Sequence, residues 1–200
     1  YLLNKDIIFE KIPYMLAFSF KSDYDEGNSY NWAQWKFFSA ELATGMYNRL
    51  STVKPMRDKT YYADELAGNI ALLTDMVQNH PETTFKFFFP PYSMLWWDNI
   101  YRSGERDAYL YNEEQTIAAL LEYDNVEIYY YQDEEEIITD LNLYMDMIHF
   151  SKDINQVICN KLIAGENRLT KENYQTKIQN MYELSERIVQ EDILEYYPNP

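Results

Sequence analysis

Two short apolar runs, Thr84-Phe-Lys-Phe-Phe-Phe89 and Asn125-Val-Glu-Ile-Tyr-Tyr-Tyr131, constrain this chain more than any other feature. Each is the length of a strand, rich in aromatic or β-branched residues, and follows a helix-like stretch. Asp64 to His80 reads as the first helix: Asp64 suits the N-cap, Ile70, Leu73, Met76 and Val77 form the inward face, and Pro81 stops it. Tyr109 to Tyr123 reads as the second, with Ile117, Leu120 and Leu121 inward. A third covers Ser151 to Ala164 and ends at Gly165, and a fourth starts at Thr170 and runs to about Glu195. Helix and strand in alternation predict parallel strands joined by right-handed crossovers. The expected fold is α/β, a flavodoxin-like three-layer sandwich with a parallel sheet, in one domain over residues 1–200.

Two strands are too few for such a sheet. Tyr14 to Phe20 is the best further candidate, although Tyr1 to Phe20 as a whole reads as a helix that Pro13 interrupts. The chain also opens at Tyr1, without an initiator methionine and already inside that pattern. It is therefore expected to be the C-terminal portion of a longer protein, with a sheet incomplete at the N-terminus. Lys21 to Asn31 reads as a polar loop, Trp32 to Leu50 as irregular or helical, and Ser51 to Tyr62 as a connector.

In parallel sheets ligands gather at the carboxyl ends of the strands. That rule selects Pro90 to Trp97 and Tyr131 to Ser151 as one functional rim. Within the second stretch, Asp146 and His149 sit three residues apart, followed by Ser151 as a helix cap. A carboxylate beside an imidazole fixes its tautomer and stabilises the imidazolium, which equips the histidine as a general base. The same two residues in a loop are also satisfied by local hydrogen bonds. On the other side of the rim, Tyr92, Ser93, Trp96 and Trp97 are the candidate substrate-binding residues. Flat indole faces suit pyranose rings, and they equally suit a covered sheet edge.

Charge and composition remove other classes. With 33 acidic against 17 basic residues, the net charge of −16 repels phosphate backbones and anionic membranes, so nucleic acid is not an expected partner. Five glycines form neither a dinucleotide-binding nor a Walker-type loop. Two histidines and one cysteine show no metal-ligand spacing, and no cofactor is expected. Cys159 falls in the pattern Ile154, Val157, Ile158, Leu162 and reads as a core residue. The acid run Glu134 to Glu136 reads as a solvated face. His80 needs no role beyond its helix C-terminus. No run is long enough to span a membrane.

Asp146-Met-Ile-His149, between the last strand and the last core helix, resembles the Asp-x-x-His block of SGNH/GDSL hydrolases. Phe87-Phe-Phe-Pro-Pro-Tyr-Ser93, followed by Trp96, resembles bacterial SGNH-like proteins associated with cell-surface polysaccharide acylation. The opening Tyr1-Leu-Leu-Asn-Lys-Asp6 resembles a segment from the middle of such proteins. The resemblance is strongest from Phe85 to Ile163. It implies a serine nucleophile, with His149 as its base and Asp146 orienting the imidazole. It further implies an esterase or O-acyltransferase acting on acetyl or other acyl esters of a polysaccharide, outside the cytoplasm in a bacterial envelope. Its partners would be an acylated polysaccharide or acyl donor and a membrane-bound O-acyltransferase. This chain departs from the family in lacking a Gly-Asp-Ser motif and a Gly-x-Asn-Asp segment; Gly27-Asn28-Ser29 is a poor substitute. The implied nucleophile would then precede Tyr1. A non-catalytic glycan- or partner-binding module is the alternative.

Overall fold

A computed structural model describes residues 5, 7–20 and 36–198. Contacts within the chain gather into two units, Tyr1–Lys36 and Phe37–Pro200. In the first, a π-helical stretch Ile7–Lys11 runs into an α-helix, α1 (Ile12–Ser19). Pro13 stands where the π-helical stretch passes into α1, and without an N–H it cannot bond back to the turn before it. Tyr14 to Phe20 is therefore helical up to Ser19 rather than the sought-for strand. The Lys21 to Asn31 loop lies outside the described residues, as do Trp32 and Trp35.

The second unit begins with α2 (Ala40–Met46), capped by Ser39, whose hydroxyl accepts from the Leu42 amide at 3.1 Å. α3 (Ala63–Asn79) buries Leu66 and Val77, with Ile70 and Leu73 half-buried between them. The inward stripe is thus 66, 70, 73 and 77, a helical repeat that leaves the expected Met76 outside, 38% exposed. The helix starts one residue before Asp64, and Tyr62 occupies the N-cap without a side-chain bond.

Strands β1 (Phe85–Phe89) and β2 (Val126–Tyr130) pair in parallel, Phe85 opposite Val126 and Phe89 opposite Tyr130. Between them come α4 (Met94–Arg102) and α5 (Arg106–Leu120). Pro90 and Pro91 end β1 because neither offers an N–H to a ladder. The turn between α4 and α5 holds Gly104 at φ +76°, and a Cβ there would collide with the Pro55 carbonyl. Glycine is required at that position on both counts.

Among the described residues no further parallel strand joins β1 and β2. Instead the segment after the third predicted helix returns along β2. Leu169 donates to Ile128 at 2.7 Å, Tyr130 donates to Asn167 at 3.0 Å, and Tyr129 faces Arg168 in an antiparallel bridge. These bonds satisfy the outer edge of β2 and explain why β2 is more buried than β1, whose Lys86 and Phe88 remain exposed.

Strand alternation sends Ile128 and Tyr130 to one side and Tyr129 and Tyr131 to the other. The first side joins the main core with Trp97, Ile117, Leu120, Met181 and Ile188. Here α3 packs on α5, and α8 (Tyr174–Gln190) packs on both α4 and α5. Between β2 and α8 lie the single turn α6 (Glu135–Ile138) and α7 (Lys152–Ala164). The second side, Tyr129 and Tyr131, packs with Ile154 and Ile158 of α7.

α7 ends on Gly165 at φ +73°, as the sequence predicts. Its inward residues are four apart, which turns Cys159 outward. That cysteine is exposed, not a core residue. α8 stops at Gln190, and a separate 3₁₀ turn, Asp192–Glu195, follows it. Glu134 is also less solvated than the acid run suggests: half-buried, it accepts from Lys161 at 2.6 Å and from Asn167.

Candidate functional site

Downstream of β2 the chain makes a 3₁₀ turn, Leu141–Leu143, and then a narrow loop. Tyr144 and Phe150 bridge as antiparallel partners, and the Met145 amide donates to the His149 carbonyl at 3.0 Å. Between these points sits Asp146. Its Oδ1 accepts from the backbone amides of Ile148 at 2.9 Å and His149 at 2.8 Å, the side-chain-to-backbone turn that aspartate favours. Its Oδ2 lies 2.7 Å from His149 Nδ1. Burial pushes the Asp146 carboxyl up, but those two amides and the imidazole outweigh it and hold the group below its ordinary value. The carboxylate is thus kept ionised and binds the Nδ1–H tautomer of the ring. That arrangement makes Nε2 the basic nitrogen.

Two contacts fasten this loop to the carboxyl end of β1. The Tyr144 hydroxyl donates to the Pro91 carbonyl at 2.7 Å. The Met147 carbonyl accepts from both the amide of Ser93, at 3.1 Å, and its hydroxyl, at 2.7 Å. Ser93 holds the N-cap of α4 but makes no capping bond with its side chain, because its hydroxyl is used on the loop instead. The rim expected from strand topology is therefore a physical contact between Pro91–Ser93 and Tyr144–Met147.

The four candidate binding residues divide. Tyr92 and Trp96 are half-buried and meet with ring centroids 5.1 Å apart. Trp96 also meets Tyr109 edge-on at 5.9 Å. Trp97 is fully buried in the main core, and Ser93 is fully buried beneath the loop. Their places in the fold are packing and tethering, which leaves Tyr92 and Trp96 as the accessible pair. His149 is exposed, with 47% of its side chain accessible, and the Asp146 side chain is 22% accessible. Ser151 caps α7 by position only, without a side-chain bond. Gly27, Asn28 and Ser29 lie outside the described residues.

Two buried carboxylates carry no sign in the sequence pattern as first read. Asp98 and Glu113 are both buried in the helical layer. Glu113 falls on the same stripe as Leu110, Ile117 and Leu120, and a carboxylate on an inward stripe is the signal that would have found it. Among the described residues no group of three or more histidine, cysteine, aspartate or glutamate side chains is placed to hold a metal. No described helix is long and apolar enough to cross a membrane. Comparisons with family models, with curated proteins and with solved structures find no match.

The Asp146 geometry carries a pH-dependent expectation. A carboxyl group lowered on folding contributes stability above its unfolded value, and loses it as pH falls through the lower folded value. Asp146→Asn keeps an oxygen for the two amides and loses the charge facing His149. It is expected to cost about 1 kcal/mol at pH 7. The difference should persist down to the ordinary carboxylate value of 3.8 and close below it, as read by urea denaturation at stepped pH. A deficit unchanged at pH 2.5 would show that the charge is not what matters.

Proposed function

We propose that His149 is the base, and Asp146 the carboxylate that orients it, in an SGNH-type serine mechanism on acyl esters. One observation carries the reading: a 2.7 Å bond between Asp146 Oδ2 and His149 Nδ1, in a loop fastened to the carboxyl end of a parallel strand. In this mechanism Nε2 takes the proton of a serine hydroxyl as its oxygen attacks the acyl carbonyl. The proton then passes to the leaving alkoxide, and an acyl-serine remains. Water or a glycan hydroxyl, deprotonated by the same nitrogen, attacks the acyl-serine, and the nitrogen returns that proton to the departing serine oxygen as the acyl group leaves as acid or as a new ester. The nucleophilic serine is the member of the triad that no motif in this chain singles out. The fold proposed with this reading is the flavodoxin-like three-layer sandwich, which the packing of α7 on Tyr129 and Tyr131 supports. The substrate class proposed with it is an acylated cell-surface polysaccharide, with a membrane-bound O-acyltransferase as donor partner in a bacterial envelope.

A second reading has its own observation. Tyr92, Trp96 and Tyr109 form a continuous, half-buried aromatic array on the same rim. Such an array holds a glycan by stacking without any turnover. Treatment of the full-length protein with a serine-directed fluorophosphonate separates the two. The catalytic reading expects one serine to be labelled, and His149→Ala to abolish the labelling. Glycan binding with no labelled serine and no ester turnover favours the module.

A further inference from the structure

A cavity of about 460 Å³ opens between α3, α5 and the carboxyl ends of both strands. It is of the size that small-molecule sites have. Tyr92 and Tyr109 supply aromatic walls, and Phe89 and Pro90 an apolar floor. Among the described residues two carboxylates line it, and no lysine, arginine or histidine does. Glu65 brings an exposed carboxylate, and Asn112 a buried Oδ1 with no donor. Glu113 brings a buried one, only 6% exposed.

The surroundings of Glu113 are unusual for a buried acid. Its Oε1 accepts from Gln132 Nε2 at 2.8 Å, and its Oε2 from the Tyr130 hydroxyl at 3.2 Å. Gln132 is itself held by Tyr109 at 3.2 Å. These are neutral donors. Among the described residues no lysine, arginine or histidine pairs with Glu113. A buried carboxylate costs several kcal/mol unless a cation joins it. Asp98, equally buried one helix away, has such a cation in Arg49, 2.9 Å distant.

We infer that this cavity is a binding site for a small organic cation, an alkylammonium group carried on an apolar or aromatic body. The ammonium supplies the positive charge that Glu113 lacks and donors for the Glu113 and Asn112 oxygens. The faces of Tyr92 and Tyr109 accept both its charge and its apolar stem. Neither the esterase reading nor the binding-module reading is needed for this inference.

Protonation enters as a consequence. Burial pushes the Glu113 carboxyl up to about 7, with Tyr109, Gln132 and Tyr130 pulling it back. The titratable groups around it are Tyr62 and Glu65 from the α3 side and Tyr92 from the turn before α4. Tyr109 faces it from its own helix, and Tyr130 and Asp133 from β2 and its end. Burial holds the Tyr92, Tyr109 and Tyr130 phenols neutral in the neutral range by pushing all three up. The cation must therefore displace a proton from Glu113 as the pH falls below 7.

Benzylammonium, benzyl alcohol and benzoate form a matched set for calorimetry on the whole chain. Benzylammonium should bind more tightly than the alcohol, and benzoate least. Its affinity should rise about tenfold from pH 6 to pH 8, with proton release at the lower pH. Glu113→Gln should weaken benzylammonium at least about tenfold and leave the alcohol unchanged, whereas Glu65→Gln should cost about twofold. Equal affinity for the ammonium and the alcohol overturns the inference, as does no binding by any of the three. So does a folded Glu113→Gln variant that binds the ammonium as the native chain does. The pH arm uses the unaltered protein and stands whether or not Glu113→Gln folds.

Discussion

Under the serine mechanism proposed for Asp146 and His149, replacing His149 with alanine in the full-length protein is expected to lower the turnover of an acyl ester by about a thousandfold, with KM within about twofold. Most of the lost rate would be proton transfer, because the imidazole is the only group that Asp146 holds in a base-competent tautomer. The stability cost should be small, about 0.5 kcal/mol or less, since half of the side chain is already in solvent. The loop's own bonds are made by the His149 backbone, which alanine retains: its amide to Asp146 and its carbonyl from Met145. A large loss of kcat in a protein that unfolds at the native denaturant concentration would therefore report chemistry rather than misfolding. Asp146→Asn should follow the same direction, because an amide that donates toward Nδ1 favours the wrong tautomer. Full esterase activity in His149→Ala would remove His149 from the mechanism. The test is a kcat and KM measurement on a chromogenic acetyl ester beside a urea titration of both variants.

The helix–strand alternation was readable because each element carries its own period. Val126 to Tyr130 is a short apolar run with turn residues before it, and Ile154, Ile158 and Gly165 mark the inward face and end of a helix. The contact between Ser93 and Met147 was readable only in outline. Topology places both stretches on one rim, but which hydroxyl meets which carbonyl depends on three-dimensional packing. What failed did so for definable reasons. Trp97 is adjacent to Trp96 in sequence, yet the helix turns them about 100° apart, so one is core and the other rim. Cys159 and Met76 sit beside inward residues and are carried outside by the same rotation. The antiparallel return of Asn167 to Leu169 along β2 has no sequence signature, because it consists of two backbone bonds on a polar segment. Asp98 and Glu113 were illegible for another reason: the pattern of an amphipathic helix assigns carboxylates to solvent. α5 offers no fully exposed position between Arg106 and Leu120, so that assumption fails there.

Asp98→Ala is expected to produce the largest loss of stability of any single change considered, about 3–5 kcal/mol by urea denaturation. The Asp98 side chain has no exposure and sits at the meeting point of three parts of the chain. From the N-terminal side, Arg49 reaches it with Nε at 2.9 Å and Nη2 at 3.2 Å, and the Tyr47 hydroxyl donates to it at 2.8 Å. From the C-terminal side, Tyr197 lies beneath the Arg49 guanidinium at 5.2 Å, meets Tyr47 edge-on and donates to Thr44 at 3.0 Å. Burial and the nearby carboxylate together push the Tyr47 phenol far up, so its proton stays available for that bond. Alanine removes the acceptor common to all of these and leaves a cation in a site only 10% accessible. The size of the loss is not, however, the worth of the ion pair. Dehydrating both charges offsets most of their attraction, so an apolar pair of similar volume should restore much of the stability. The double variant Arg49→Met, Asp98→Leu is accordingly expected to be more stable than Asp98→Ala by at least about 2 kcal/mol. If the double variant is no better than the single one, the charges do more than satisfy each other. The bidentate geometry would then be what positions Tyr47, Arg49 and Tyr197 against α4.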